Sequence, residues 1–141
     1  NYNPDATDED FSCEYTSFNQ LYFNEGPNLV SFYELPELDA STYPISSLSA
    51  LFNNNNMYSV FNSTQAALNT DLFGWIGSLQ SINKLSGYWL KVNEADDLRI
   101  VGEPIDGSSL EYSLQFGVNL VSYPYNQGNG FESALKTYWI L

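Results

Sequence analysis

The sequence has no histidine, a single cysteine and only four basic residues, against seventeen aspartates and glutamates. Without histidine there is no imidazole to activate the thiol, and transition-metal binding is disfavoured because imidazole and thiolate are the ligands such metals prefer. The formal charge of −13 opposes binding to nucleic acids and to anionic membranes, because both require clustered lysine and arginine. No apolar run approaches the roughly eighteen residues of a membrane-spanning helix.

Aromatic residues are abundant, at 16% of the chain, and apolar residues make up 43% of its 141 positions. This composition predicts one ordered domain with a continuous core, since a disordered acidic segment would lack so many aromatic side chains. The chain begins at Asn1 without an initiator methionine or a signal peptide, and we therefore expect a mature or excised piece. The acidic surface either provides solubility or belongs to an extracellular protein that gathers cations.

The lone thiol of Cys13 has three interpretations, namely a buried reduced residue, a reactive nucleophile, or half of a disulfide. The neighbouring acids Glu9, Asp10 and Glu14 disfavour the thiolate, so nucleophilic catalysis is the weakest of the three.

Two groups of carboxylates are candidates for chemistry. Asp5, Asp8 and Asp10 could provide oxygen ligands for Ca²⁺, although the same segment also fits a solvated acidic linker without a cofactor. Asp96 and Asp97 are adjacent in a predicted turn, and adjacent residues do not face each other across a scissile glycosidic bond. The sequence therefore predicts a protein that is not an enzyme.

Short segments of alternating or continuous apolar residues predict a mainly β fold with sandwich-like antiparallel sheets and one or two short helices. The predicted strands are Leu29–Tyr33, Met57–Phe61, Gly87–Val92, Leu98–Val101 and Leu110–Leu114. We expect the third and fourth of these to form a hairpin across residues 93–97.

The predicted helix covers Ile45–Phe52, with Ser41 or Thr42 as its cap and Pro44 in its first turn. Its apolar residues recur at three-to-four spacing, and we expect the asparagine run 53–56 to end it because asparagine tolerates left-handed backbone.

One phrase occurs twice. Gly26–Tyr33 reads GPNLVSFY, and Gly117–Pro124 reads GVNLVSYP; we call these the first and second phrase. They divide the chain into an acidic arm at 1–15 and a β-rich domain at 16–141, with partial repeats at 20–109 and 110–141. The second repeat offers a strand, a helix near Phe131–Lys136 and a strand at Thr137–Leu141 that we match by order to Met57–Phe61. The chain thus reads as about one and a half copies of a tandem module.

Four aromatic side chains could bind sugars if they are exposed, pack in the core, or lie in a subunit interface. The candidates are Trp75, Tyr88, Trp89 and Trp139. Strand alternation predicts that Tyr88 and Trp89 point to opposite faces. Asn62-Ser63-Thr64 fits the N-glycosylation pattern, a match that also arises by chance in a chain rich in asparagine and serine.

Residues 1–15 resemble the second half of an acidic repeat found in very large secreted proteins of aquatic bacteria, which runs Cys-Asn-Tyr-x-Pro-x-Ala-Thr, an acidic stretch, and Ser-Cys-x-Tyr. Ten residues fall in register: Asn1, Tyr2, Pro4, Ala6, Thr7, Asp8, Asp10, Ser12, Cys13 and Tyr15. The resemblance implies that Cys13 pairs with a cysteine upstream of Asn1. Phe11 departs from the usual glycine, which puts the expected tight turn there in doubt.

The order Gly-x-Asn-Leu-Val-Ser followed by Gly-Tyr-Trp-Leu-Lys is similar to β-rich modules of bacterial secreted and cell-surface proteins, over most of residues 20–125. It is also similar to subunits of extracellular fibrils that interlock through β-strands. We therefore expect an extracellular structural subunit that contacts copies of itself or flanking modules, with a carbohydrate-binding adhesion module as the alternative. The expected contact segments are a free arm around Thr16–Phe23, with Leu21, Tyr22 and Phe23, and the apolar segment Tyr138, Trp139, Ile140 and Leu141.

Overall fold

The computed structural model describes residues 18–36, 42–104 and 111–123, which form a mainly β structure with antiparallel sheets. This confirms the predicted fold class. The strands are β1 Phe18–Phe23, β2 Gly26–Ser31, β3 Glu34–Leu35, β4 Tyr43–Pro44, β5 Met57–Phe61, β6 Ala66–Thr70, β7 Gly74–Gly77, β8 Ser81–Ile82, β9 Gly87–Val92, β10 Asp96–Val101 and β11 Glu103–Pro104. The helix α1 is Ile45–Ser49, and a 3₁₀ turn covers Asn53–Asn55.

The largest sheet has five antiparallel strands in the order β2-β9-β5-β6-β7. Successive side chains of β9 point alternately to the inner and the outer face of this sheet. Tyr88, Leu90 and Val92 are buried on the inner face, and Trp89 and Lys91 are half-buried on the outer face. A bulge shifts the pairing of β5 with β9 between Met57 and Ser59.

The core lies between this sheet and the pair formed by β1 and β10, so the architecture is sandwich-like. Phe23 of β1 meets Phe52 edge to face, with ring centroids 5.1 Å apart. Both rings are buried in the same cluster as Tyr88 and Leu98, which come from β9 and β10. One continuous core therefore joins the elements.

The predicted hairpin of Gly87–Val92 with Leu98–Val101 is wrong, although both strands exist. β9 pairs with β2 and β5, whereas β10 pairs with β1. The connection between them is held by Asn56, whose Oδ1 accepts the backbone N–H groups of Asn93 (3.0 Å) and Glu94 (2.9 Å). These contacts anchor the loop and lead β10 to the other sheet.

The helix is shorter than predicted, because it ends at Ser49 and Pro44 is the residue before it rather than part of its first turn. Tyr43 and Pro44 form β4 with β8 instead. The asparagine run behaves as predicted, since Asn54 and Asn55 adopt left-handed backbone with φ of 52° and 54°.

Residues 111–114 contain no regular strand, so the prediction of a strand over Leu110–Leu114 is wrong for that described part. Strand β6 was not among the predicted strands, because its residues Ala66–Thr70 include two alanines and an asparagine and lack a strong β pattern. The acidic arm at 1–15 and the end of the second repeat beyond residue 123 lie outside the described residues, so the tandem module stays a prediction.

Candidate interaction surfaces

The first phrase begins with a turn locked by one asparagine side chain. Asn28 Oδ1 accepts the backbone N–H of Asn24 at 2.9 Å, and Asn28 Nδ2 donates to the carbonyl oxygens of Asn24 (2.8 Å) and Gly26 (3.0 Å). Gly26 has φ of +92°, a conformation that residues with a Cβ rarely adopt. Glycine and asparagine two residues apart are therefore required by the turn itself.

The second phrase builds the same turn with the same three hydrogen bonds. Asn119 Oδ1 accepts the N–H of Gln115 at 2.9 Å, and Asn119 Nδ2 donates to the carbonyl oxygens of Gln115 (2.8 Å) and Gly117 (3.2 Å). Gly117 has φ of +106°. The repeated letters of the sequence thus encode a repeated local structure.

Backbone hydrogen bonds attach the second phrase to the end of β9. Gly87 N–H donates to the carbonyl of Leu120, and Ser122 N–H donates to the carbonyl of Leu85, both at 3.0 Å. These bonds flank an antiparallel bridge between Ser86 and Val121. The segment is therefore positioned on the body of the domain.

Equivalent positions in the two phrases differ in exposure. Phe23, just before the first turn, is 4% exposed, whereas its counterpart Leu114 is 62% exposed. Val30 is 9% exposed and its counterpart Val121 is 46% exposed. In the first phrase β9 pairs along all of β2, whereas the second phrase is attached to the other described residues by the Ser86–Val121 bridge and by backbone hydrogen bonds of Leu120, Ser122 and Tyr123.

A second apolar surface is the outer face of the five-stranded sheet. Leu29, Trp89 and Phe61 are directly opposite one another on β2, β9 and β5. In the next row Leu68 and Ile76 are paired on β6 and β7. We call these five residues the outer face. Four of them are exposed and Trp89 is half-buried, and the β6–β7 turn beside them carries two further exposed side chains, Leu72 and Phe73.

The structure separates the three described aromatic residues proposed for sugar binding. Tyr88 is fully buried, and its hydroxyl accepts the backbone N–H of Asn83 at 2.9 Å. Burial raises the pKa of that hydroxyl. Trp75 is half-buried and packs against the core, while Trp89 lies on the outer face, which confirms that Tyr88 and Trp89 point to opposite faces. Trp139 lies outside the described residues.

The segment expected to be a free arm is paired within the chain. Leu21, Tyr22 and Phe23 are part of β1, where they lie opposite Leu98, Asp97 and Asp96 of β10. Phe23 fills the core, Leu21 packs partly against it, and Tyr22 is 80% exposed. Tyr22 is thus the one of the three that is open to a partner. The other expected contact segment, Tyr138–Leu141, lies outside the described residues.

A polar cleft surrounds Asp96 and holds its carboxylate with four donors. The Oδ1 atom accepts from Asn53 Nδ2 (2.6 Å) and from Asp97 N–H (2.9 Å), while Oδ2 accepts from Asn53 N–H and Asn56 Nδ2, both at 3.1 Å. Burial acts to raise the pKa of Asp96, but these hydrogen bonds outweigh it and lower the pKa below the ordinary value. The carboxylate is therefore a structural acceptor.

The side chain of Asn62 organises the turn between β5 and β6. Its Oδ1 accepts the backbone N–H groups of Thr64 (2.9 Å) and Gln65 (2.8 Å). This arrangement gives the residue a structural role of its own. Glycosylation at Asn62 stays a prediction.

No group of three or more potential metal ligands occurs within residues 18–36, 42–104 and 111–123. Asp5, Asp8, Asp10 and Cys13 lie outside these ranges, so calcium binding and the disulfide stay predictions. In the described part of the chain no helix has the length and apolar character needed to cross a bilayer.

The chain matches no protein-family model, no curated protein sequence and no solved structure.

Proposed function

We propose that the chain is a non-catalytic extracellular structural protein whose molecules assemble into a filament or surface layer through β-strand contacts. The observation that carries this proposal is the outer face, where apolar side chains, four of them exposed, lie in two neighbouring rows that together include all five strands of one sheet. Contiguous exposed apolar surface of this kind is typical of sites that bind another protein.

The edge of the sheet next to the outer face also supports contact through strands. Strand β7 ends the five-stranded sheet, and within the described residues it pairs only with β6. An unpaired strand edge presents backbone donors and acceptors that another strand can use. Exposed Ile76 on β7 and Leu68 on β6 would add apolar contacts to such a pairing.

The charge of the chain makes a specific prediction for assembly. Molecules with a formal charge of −13 repel one another at low ionic strength, and salt screens that repulsion with a Debye length of about 10 Å at 0.1 M. The five side chains of the outer face are uncharged, and the charged residue in the same row as Leu68 is the positive Lys91 of β9. We therefore expect assembly to increase with salt concentration.

Light scattering and negative-stain electron microscopy across protein and salt concentration test the proposal. We expect polymers that become longer as salt increases. The variant Leu68→Ser should shift assembly to several-fold higher protein concentration, whereas Ser59→Ala, paired with Leu68 on the same face, serves as the control. A chain that remains monomeric at high protein and salt concentration would rule the proposal out.

A carbohydrate-binding adhesion module is the second candidate, and the placement of Trp89 on the outer face is the observation that favours it. Its cross-strand neighbours Leu29 and Phe61 are apolar, and a sugar site also needs polar groups that fix orientation, so the geometry favours a protein partner. Selective binding on a glycan array that Trp89→Ala abolishes would reverse this preference.

A further inference from the structure

We propose that the β6–β7 turn of one molecule inserts Leu72 and Phe73 into a groove on the outer face of a second molecule, where the carboxylate of Asp71 meets the ammonium of Lys91. This inference rests on the proposed assembly and identifies one contact within it. The contact joins two different surfaces, a projecting turn and a groove, and every copy of the chain has both.

The β6–β7 turn presents two large apolar side chains to solvent. Leu72 is 86% exposed and Phe73 is 78% exposed. Two hydrogen bonds fix the turn, since Thr70 Oγ1 donates to the carbonyl oxygen of Gly74 (3.1 Å) and accepts the backbone N–H of Phe73 (3.2 Å). A turn that is already fixed loses little conformational entropy when it binds, so its exposed side chains are suited to a contact.

The acceptor is a groove of about 410 Å³ on strands β5, β6 and β7. Phe61, Leu68 and Ile76 of the outer face line it, and each of these side chains is between 41% and 45% exposed. The small side chains of Ser59 and Ala66 also line the groove and leave room between the larger ones. The groove is therefore open to solvent and has apolar walls that suit a leucine and an aromatic ring.

The turn does not occupy the groove of its own molecule. The groove lies at the Ala66 end of β6, whereas the turn follows Thr70 at the other end, about 13 Å away along the strand. Leu72 and Phe73 remain exposed although the groove is present in the same structure. The turn can therefore fill this groove only on another molecule.

The charges of the two surfaces are complementary. Lys91 lies directly opposite Ser59, so it borders the groove, and its ammonium is 4.9 Å from the centroid of the Tyr58 ring. Asp71 is the residue just before Leu72 in the turn. In a chain with only four basic residues, a lysine beside an exposed apolar groove favours a partner that carries an acid next to its apolar side chains.

The spacing of charge and apolar side chains is similar on the two surfaces. Neighbouring Cα atoms of the turn are about 3.8 Å apart, and directly opposite residues of antiparallel strands are about 4.5–5.5 Å apart. Asp71 therefore comes to Lys91 when Leu72 enters the groove beside Ser59. A contact between two different surfaces repeats from one molecule to the next, in a filament or a ring.

A charge reversal at Asp71 tests this contact, at the lowest salt concentration at which the unmodified chain assembles. Asp71→Lys places a lysine against Lys91 and should raise the protein concentration needed for assembly several-fold. The same change lowers the net negative charge of the chain, which by itself would favour assembly. Glu111→Lys is the matched control, because it changes the charge equally at an exposed position outside both surfaces, and it should not weaken assembly.

The reciprocal variant completes the experiment. Lys91→Asp places an acid against Asp71 and should also weaken assembly several-fold. An equimolar mixture of Asp71→Lys and Lys91→Asp chains should assemble, because each contact between unlike chains joins a lysine to an aspartate. Recovery in the mixture also demonstrates that both variants are folded. Adding Phe73→Ser to both chains should abolish this recovery, since it removes the exposed ring that fills the groove.

The outcomes separate this contact from the proposed assembly. Polymers that form equally well with Asp71→Lys and with the unmodified chain would overturn the inference and leave the assembly standing. A mixture of the two charge variants that stays unassembled would overturn the pairing of Asp71 with Lys91. Assembly that stops at dimers but follows the charge reversal would support the contact and count against a filament. An unmodified chain that stays monomeric at high protein and salt concentration would overturn both.

Discussion

Tyr123 donates its backbone N–H to Ser31 Oγ over 3.0 Å, although the two residues are 92 positions apart. Ser31 is the last residue of β2, and Tyr123 follows the serine of the second phrase. The two phrases therefore approach each other where β2 ends. The ladder of β2 with β9 stops at the pair Ser31–Gly87, and the second phrase contacts the residue just before it, Ser86, through Val121. This contact gives the repeated phrases a direct physical relation within one molecule.

Two neighbouring substitutions in β1 should change the free energy of unfolding by very different amounts, because one side chain is buried and the other is exposed. Phe23→Ala should lower the free energy of unfolding by about 3–5 kcal/mol, because it leaves a cavity beside Phe52. Tyr22→Ala removes an exposed ring and should change stability by less than about 0.5 kcal/mol. Urea denaturation measures both values. Equal, small effects would mean that β1 does not belong to the core.

The two turn asparagines should differ in their contribution to global stability. Asn28→Ala removes three hydrogen bonds at the start of core strand β2 and should destabilise the domain by about 1–2 kcal/mol. Asn119→Ala removes the equivalent bonds from a segment with exposed apolar residues, and we expect faster hydrogen exchange at residues 115–122 with little change in the denaturation midpoint. A larger midpoint shift for Asn119→Ala than for Asn28→Ala would contradict this order.

Gly87 is placed where the second phrase approaches β9 closely. A Cβ added there would lie 2.9 Å from the carbonyl oxygen of Val121, so Gly87→Ala must push the two segments apart. Hydrogen exchange should accelerate at Ser122 and Tyr123, whose N–H groups bond to Leu85 and Ser31. The amides of β6, which does not contact Gly87 through the ladder, provide the internal reference. Unchanged protection at Ser122 would show that the second phrase is not attached there.

The lowered pKa of Asp96 makes a prediction about acid stability. Because the pKa is lower in the folded than in the unfolded chain, the ionised carboxylate stabilises the fold above about pH 4, the ordinary value for aspartate. That contribution is lost as the pH falls through the lower folded pKa. The difference in stability between the unmodified chain and Asp96→Asn should therefore shrink below pH 4.

Unfolding by urea at a series of pH values measures this difference. Asp71→Asn, in the exposed β6–β7 turn, is the matched control, because it removes the same formal charge without a carboxylate clamped by four donors. A difference between the unmodified chain and Asp96→Asn that stays constant from pH 6 to pH 2 would contradict the prediction.

Local pattern was sufficient for much of the fold. Alternation predicted β5 with its observed bounds and placed Tyr88 and Trp89 on opposite faces. The left-handed asparagines that follow the helix were also predictable, because the preference lies in the residue itself. Such features depend on neighbours in the sequence, which a reader of the chain can see.

The pairing partners of the strands were harder to predict from the sequence. The short connection between β9 and β10 predicts a hairpin, but the connecting loop is bound by Asn56, about forty residues away in the sequence, and the two strands pair with other strands. The repeat identified the second phrase in the sequence, but its exposure became visible only with the counterparts Val30 and Phe23 buried in the same structure. The burial of a side chain depends on how the sheets pack, so the sequence of a short phrase does not predict it.

The distant partners of β1 and β2 have a consequence for synthesis of the chain. Both strands leave the ribosome before β10 and β9, which complete their ladders and are made more than fifty residues later. At about 5–20 residues per second the first strands wait several seconds with apolar edges uncovered. During that interval nascent chains on neighbouring ribosomes can pair with each other, so the cell must either hold them apart or tolerate early association.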